Sequence, residues 1–118
     1  MPWQSESNAW LTTVRPNGAP QTSRVWFALI DDTVWISTGA ASVKWRNLLA
    51  DPRVTVAFDG SSAGVISGTA RLHNSARARA DVLAAFAAKY NGWDAAADVP
   101  GWGDRVLISV PVGTFRPA

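Results

Sequence analysis

Between Ser37 and Arg46 the chain gathers three hydroxyls, Ser37, Thr38 and Ser42, and two cations, Lys44 and Arg46. Ser42 reads as the N-cap of a short helix and Asp51-Pro52 as its stop. Lys44 and Arg46 then lie in or next to the first turn, where the helix dipole is positive, while the one acid, Asp51, falls at the negative end. Each such misplacement typically costs ~0.3–1 kcal/mol. The arrangement turns favourable when an anion arrives. A helix start offers free N–H groups, and each charge-assisted hydrogen bond to a phosphate contributes ~1.5–3 kcal/mol. Ser37 and Thr38, at the end of the preceding strand, add hydroxyls, Gly39 adds a flexible backbone, and Arg24 on a neighbouring strand reaches the same spot. These residues suit a phosphate pocket. The plainer alternative is a capped helix with ordinary surface cations, and the spacing alone leaves both open. The second helix is the control: Arg77 and Arg79 sit near its start, but Asp81 stands four residues after Arg77 and can pair with it.

The elements that must position these groups read mostly as strands. Ala9 to Arg15 is β-branched and aromatic, and Pro-Asn-Gly-Ala after it is a turn in which Gly18 takes positive φ. Pro20 to Ile30 reads as one long strand, Asp31-Asp32-Thr33 as a tight turn, and Val34 to Thr38 as the strand completing a hairpin. Strands follow at Arg53 to Asp59, Val65 to His73 (with Gly68 a bulge or a point of close approach) and Arg105 to Pro117, where Pro111 favours an edge or a bulge. Gly60 to Gly64 is a small-residue loop. Ser75 to Asn91 is a second helix whose Val82, Leu83, Phe86, Ala87 and Tyr90 share an apolar face. Six antiparallel strands and two helices predict a mainly β, α+β fold: one domain built as a six-stranded split β-barrel with helices filling its ends.

Composition bounds the function. The 118 residues suit one domain and include no cysteine, so no disulfide, thiolate nucleophile or Cys-based metal site is available. That composition fits a cytoplasmic protein, and the N-terminus shows neither the basic start nor the apolar run of a signal peptide. The apolar runs, Val25 to Ile30 among them, are all far below the ~20 residues of a membrane helix. Net charge is +2, and the arginines are scattered rather than striped, which argues against a nucleic-acid partner. His73 is the only histidine, so no nucleophilic triad is visible. The carboxylates show neither metal-ligand nor glycosidase spacing. Catalytic side chains are therefore unassigned, and a metal is not expected. Seven tryptophans in so short a chain point to a subunit interface or a flat aromatic ligand.

The runs "WLTTVRPNGAPQTSRVWF", "ISTG", "SVKWRNLLADPRVTV" and "GTARL" together resemble the split β-barrel flavin and deazaflavin oxidoreductases, the pyridoxamine 5′-phosphate oxidase-like superfamily. Within it the chain is most similar to the actinobacterial branch that uses the deazaflavin coenzyme F-420. The resemblance covers about Ala9 to Leu72 and is mostly architectural beyond Ser75. It implies that Ser42 and Lys44 hold the cofactor phosphate, with Arg24, Ser37, Thr38 and Arg46 around it, and that the segment Val25-Trp26-Phe27 lies against the cofactor ring. Flavin members often carry an arginine between the Ser and Lys. Val43 stands there instead, which favours coenzyme F-420 over flavin mononucleotide (FMN).

The implied activity is hydride transfer between the reduced cofactor and a small organic substrate, in a homodimer with each cofactor groove between subunits. The alternatives are an FMN-dependent oxidoreductase of the same fold and a non-catalytic cofactor-binding protein. Trp26, Phe27 and Trp35 are candidates for the wall of the ring slot, with Trp35 better suited to the core. Trp93 and Trp102 suit a lid over the substrate space or dimer packing. Most members begin with an N-terminal helix; the eight residues before the first strand here leave that side of the groove open or lined by Trp3.

Overall fold

A computed structural model of the chain describes residues 2–58, 63–113 and 115–117. Among them are nine strands: β1 Ala9–Val14, β2 Pro20–Val25, β3 Ala28–Ile30, β4 Thr33–Gly39, β5 Arg53–Phe58, β6 Gly64–Thr69, β7 Arg71–His73, β8 Arg105–Pro111 and β9 Arg116–Pro117. The helices are α1 Val43–Ala50 and α2 Ala80–Lys89, with 3-10 turns at Pro2–Ser5 and Ala76–Ala78. Asp59, Gly60, Ser61 and Ser62, part of the expected strand end and small-residue loop, lie outside the described residues.

The predicted six-stranded barrel is corrected to two antiparallel sheets, ordered β2-β1-β5-β6-β9 and β3-β4-β8-β7. Three of the six expected strands are each cut in two, and each piece joins a different sheet. A strand can cross from one sheet to the other only by breaking its ladder, and the freed backbone groups then need other partners. At Trp26-Phe27 the partner is the Tyr90 hydroxyl. It accepts the Phe27 N–H at 3.0 Å and lies 3.1 Å from the Phe27 carbonyl and 2.9 Å from that of Ser7. At Ala70 the N–H donates to the Pro52 carbonyl at 2.9 Å. After β8, the Val112 N–H donates to Asp32 at 3.0 Å. Strand-forming residues run straight across the breaks at Trp26-Phe27 and Ala70, so no local pattern announces them.

Other expectations hold locally. Gly18 has φ +85°, and Asp31 and Asp32, both at positive φ, form the tight turn that pairs Ile30 with Thr33. Pro111 ends β8 beyond β7, which pairs only with Leu107 to Ser109, so the missing N–H breaks no ladder there. Gly68 is neither a bulge nor a close approach: it pairs in register with Val54, and a Cβ on it would meet open space.

Residues alternating along β4 and β8 feed two cores. Val34, Ile36, Val106, Ile108 and Val110 face the space between the sheets, with Leu11, Phe27, Leu48, Val56 and Ile66. Trp35 and Leu107 face α2, against Val82 and Phe86. Each such side chain contributes ~1.5–3 kcal/mol on burial. Trp35 thus belongs to the core. So does Trp3, fully buried and stacked on Phe58 at 4.2 Å, so it does not line a groove. α1 is fastened by Trp45 and Leu48 and by Asn47, whose buried Nδ2 donates to Thr13 Oγ1 at 3.1 Å. Among the described residues no helix is long and apolar enough to cross a membrane.

Candidate functional site

Ser42 caps α1 as its type and place require. Its Oγ accepts the Trp45 N–H at 3.3 Å and a hydrogen bond from Thr38 Oγ1 at 3.1 Å, and its carbonyl accepts the Arg46 N–H at 3.2 Å. The N–H groups of Val43 and Lys44 then have no protein acceptor among the described residues. They are the open donors of the helix start.

Gly39 is not the flexible joint expected. The Trp102 backbone lies on it, and a Cβ there would run into the Trp102 carbonyl oxygen. That oxygen accepts the Ala41 N–H at 2.9 Å, and the Asp104 carbonyl accepts the Ala40 N–H at 2.8 Å. The loop before β8 is therefore clamped to the approach to α1. This places Trp102, 46% exposed as a residue, beside Lys44, whose Nζ lies 5.9 Å from its ring centroid.

Two adjoining clefts share Lys44 and Trp102. The first, about 350 Å³, is lined also by Gln21, Ser23, Ser42 and Val43. The second, about 240 Å³, is lined by Arg24, Val25, Trp26, Ser37, Thr38, Trp93 and Arg105 as well. Trp26 is a platform in this second cleft. One face stacks on Tyr90 at 4.4 Å and 2°, Trp93 meets it edge-on at 5.1 Å, and 45% of the residue is exposed. Tyr90 is in turn held by the chain break it bonds.

The structure brings Arg24, Val25, Trp26, Ser37, Thr38, Ser42 and Lys44 to the two clefts. It does not bring Arg46, which is exposed and lines neither, nor the Phe27 side chain, which is fully buried in the core. The Ser37 hydroxyl is also engaged: it donates to the Ala95 carbonyl at 2.7 Å and accepts from Arg105 at 2.9 Å.

Arg105 is the residue that sequence reasoning missed. It opens β8 opposite Gly39 in the β4 ladder. Its guanidinium is pinned by Ser37 Oγ and, at 3.4 Å, by the Ala95 carbonyl. Only strand pairing brings it to the cleft, and no local motif marks it. Burial holds Lys44 below the usual lysine range, and the charge of Arg105 lowers it further. Burial also lowers Arg105, against the opposing pull of Asp98. The ion pairs among the described residues, Arg53–Asp51 and Arg79–Asp81, both lie elsewhere. The clefts thus hold Arg24, Lys44 and Arg105 with no acid in their lining.

The family model described as pyridoxamine 5′-phosphate oxidase matches residues 3–116 of the sequence. No curated protein matches it. Among solved structures, the fold is similar to that of a conserved hypothetical protein from Mycobacterium tuberculosis, with a TM-score of 0.79 and 23% identity over 98% of this chain and 79% of that one. It is also similar to an F-420 reductase, with a TM-score of 0.75 and 22% identity over 97% and 92% of the two chains. A third likeness is to a pyridoxamine 5′-phosphate oxidase-related, FMN binding protein from Nostoc punctiforme, with a TM-score of 0.62 and 17% identity over 90% and 70%.

Proposed function

The chain belongs to the pyridoxamine 5′-phosphate oxidase family, and from that premise we propose that it is a coenzyme F-420-dependent oxidoreductase acting on a small organic substrate. The observation that carries this reading is the acid-free lining of the two clefts, with Lys44 at their junction. The donors fit the group. Two unpaired N–H groups, the Ser42 hydroxyl and Lys44 suit a phosphate at the first cleft. The exposed face of Trp26, with Trp93 and Trp102, suits a flat ring in the second. Val43, 43% exposed at the first cleft, supplies no cation, which supports the deazaflavin over FMN.

When bound, the cofactor supplies hydride transfer. The chain supplies the rest. Lys44 and the start of α1 hold the negative tail. The backbone of Val25 and Trp26 backs the ring. Trp93 and Trp102 narrow the second cleft and keep water from its floor. The working form is a homodimer with the groove between subunits. Supporting this, Leu49 is 62% exposed and Trp10 38%, apolar surface that a second copy would cover.

The test is a titration of the apoprotein with coenzyme F-420 and FMN side by side, read by quenching of tryptophan fluorescence, with sedimentation run in parallel. Micromolar F-420 binding, tighter than FMN, is the expected result. Quenching by neither ligand overturns the reading, and a monomer at working concentration removes the shared groove.

A further inference from the structure

A hydride carries two electrons and one negative charge. A ring that accepts one from a donor is one charge more negative until a proton follows. The environment of the ring therefore decides which redox form is held more tightly, and cations near the ring favour the reduced one.

Arg24 and Arg105 stand at the ring end of the site, beside Val25 and Trp26. Neither lines the first cleft, where the start of α1 lies. The phosphate therefore accounts for Lys44 and the helix start but not for these two arginines. Arg105 is also not a freely moving surface charge. It is partly buried, and its Nε and one terminal nitrogen are committed to Ala95 and Ser37. A neighbouring polar cleft of about 250 Å³, which Arg105 also lines, contains Asp98 and Asp104, yet neither makes an ion pair with Arg105 within 4.0 Å. Ser37 and the Ala95 carbonyl thus fix a guanidinium between an acid-bearing cleft and an acid-free one. Lys44 carries the strain of this: its charged form is disfavoured by burial first and by Arg105 second, a repulsion that a negative ring between them would relieve.

Resting on the cofactor reading above, we propose that Arg105, with Arg24, makes the second cleft hold the reduced cofactor more tightly than the oxidised one. The fixed guanidinium on the β8 side is the main contributor. Its consequence is a bound cofactor with a raised reduction potential, about 30 mV for each tenfold ratio of the two affinities.

The experiment measures dissociation constants of oxidised and borohydride-reduced coenzyme F-420, without oxygen, by tryptophan fluorescence. It uses the wild-type chain, Arg105→Gln and Arg105→Lys. The wild type is expected to bind the reduced form at least about tenfold more tightly, the scale of one charged contact. In Arg105→Gln that ratio falls several-fold, mainly by weaker binding of the reduced form, and Arg105→Lys recovers part of it. Equal binding of the two forms by the wild type overturns the proposal while leaving the cofactor reading intact. So does an unchanged ratio in a folded Arg105→Gln. Failure of the wild type to bind either form overturns the cofactor reading, and this proposal with it.

Discussion

The two helices begin with the same kind of charge and end in opposite situations. At α2, Arg79 pairs with Asp81 at 2.9 Å and lies over the Trp35 ring, 4.5 Å from its centroid. The pairing expected of Arg77 is absent; Arg77 instead reaches the Ala96 carbonyl at 3.3 Å. At α1, no acid answers Lys44, two N–H groups stay open, and a loop is clamped alongside to form a wall. The difference teaches that a cation at a helix start carries no meaning by itself. At α2 the charge is used up in covering the core, whereas at α1 it is left facing a cleft.

Changing Gly39 to alanine breaks the α1 side of the comparison most severely. The new Cβ meets the Trp102 backbone, and overpacking of this kind costs roughly 1–3 kcal/mol. A thermal midpoint lower by several degrees and loss of cofactor quenching are expected together; an unchanged midpoint would show that the loop is not clamped there. Lys44→Ala comes next. It should weaken cofactor binding about tenfold or more, equivalent to ~1.4 kcal/mol, with the midpoint nearly unchanged. Arg79→Ala should do the reverse, lowering the midpoint and leaving the dissociation constant alone. If both variants lose binding equally, the contrast between the two helix starts is false.

A third test uses the other end of α2. Lys89 Nζ is buried without a hydrogen-bond partner, 3.3 Å from the Phe27 ring centroid. Burial lowers its pKa from 10.5 to about 8, Glu6 pulling the other way. Between those two values the unfolded chain binds the extra proton and the folded chain does not, so stability rises with pH across that window. Below about pH 8 both states are charged and the burial cost is present in full. Lys89→Met should raise the midpoint at neutral pH by about 2–6 °C, the scale of ~1 kcal/mol in a chain of this size. It should also abolish this lysine's part of the rise toward pH 10.5, and thermal melts of both proteins across that range check it. The smallest effect is expected from Val43→Glu, which gives α1 the acid it lacks. It should stabilise the fold by ~0.3–1 kcal/mol while weakening cofactor binding a few-fold. Stabilisation with undiminished binding would mean that the helix start does not meet the anion.

Much of the site was legible from residue types. The cap at Ser42 and the uncompensated Lys44 follow from local rules of helix ends and charge, and they stand where those rules put them; Trp26 was placed by the family resemblance and lines the second cleft. Arg46 lies outside both clefts, which its distance from the N-cap along the chain could not show, because that distance does not say which side of the helix faces the cleft. The Phe27 side chain, a candidate for the slot wall, lies in the core, and no local pattern tells a wall of the slot from the floor of the core.

By itself, the sequence determined what is set within a few residues of chain: the strands and helices, the turns at Gly18 and Asp31-Asp32, the capped helix and its unmatched charge. The tertiary structure alone decided what depends on distant segments meeting. It divided three strands between two sheets, buried Trp3, pressed Trp102 onto Gly39 and carried Arg105 to the cleft. The physical reason is range: caps, turns and dipoles act between neighbours in the chain, whereas sheet switching and cleft lining are set by hydrogen bonds and packing between residues such as Tyr90 and Phe27, or Arg105 and Ser37, that are more than sixty positions apart.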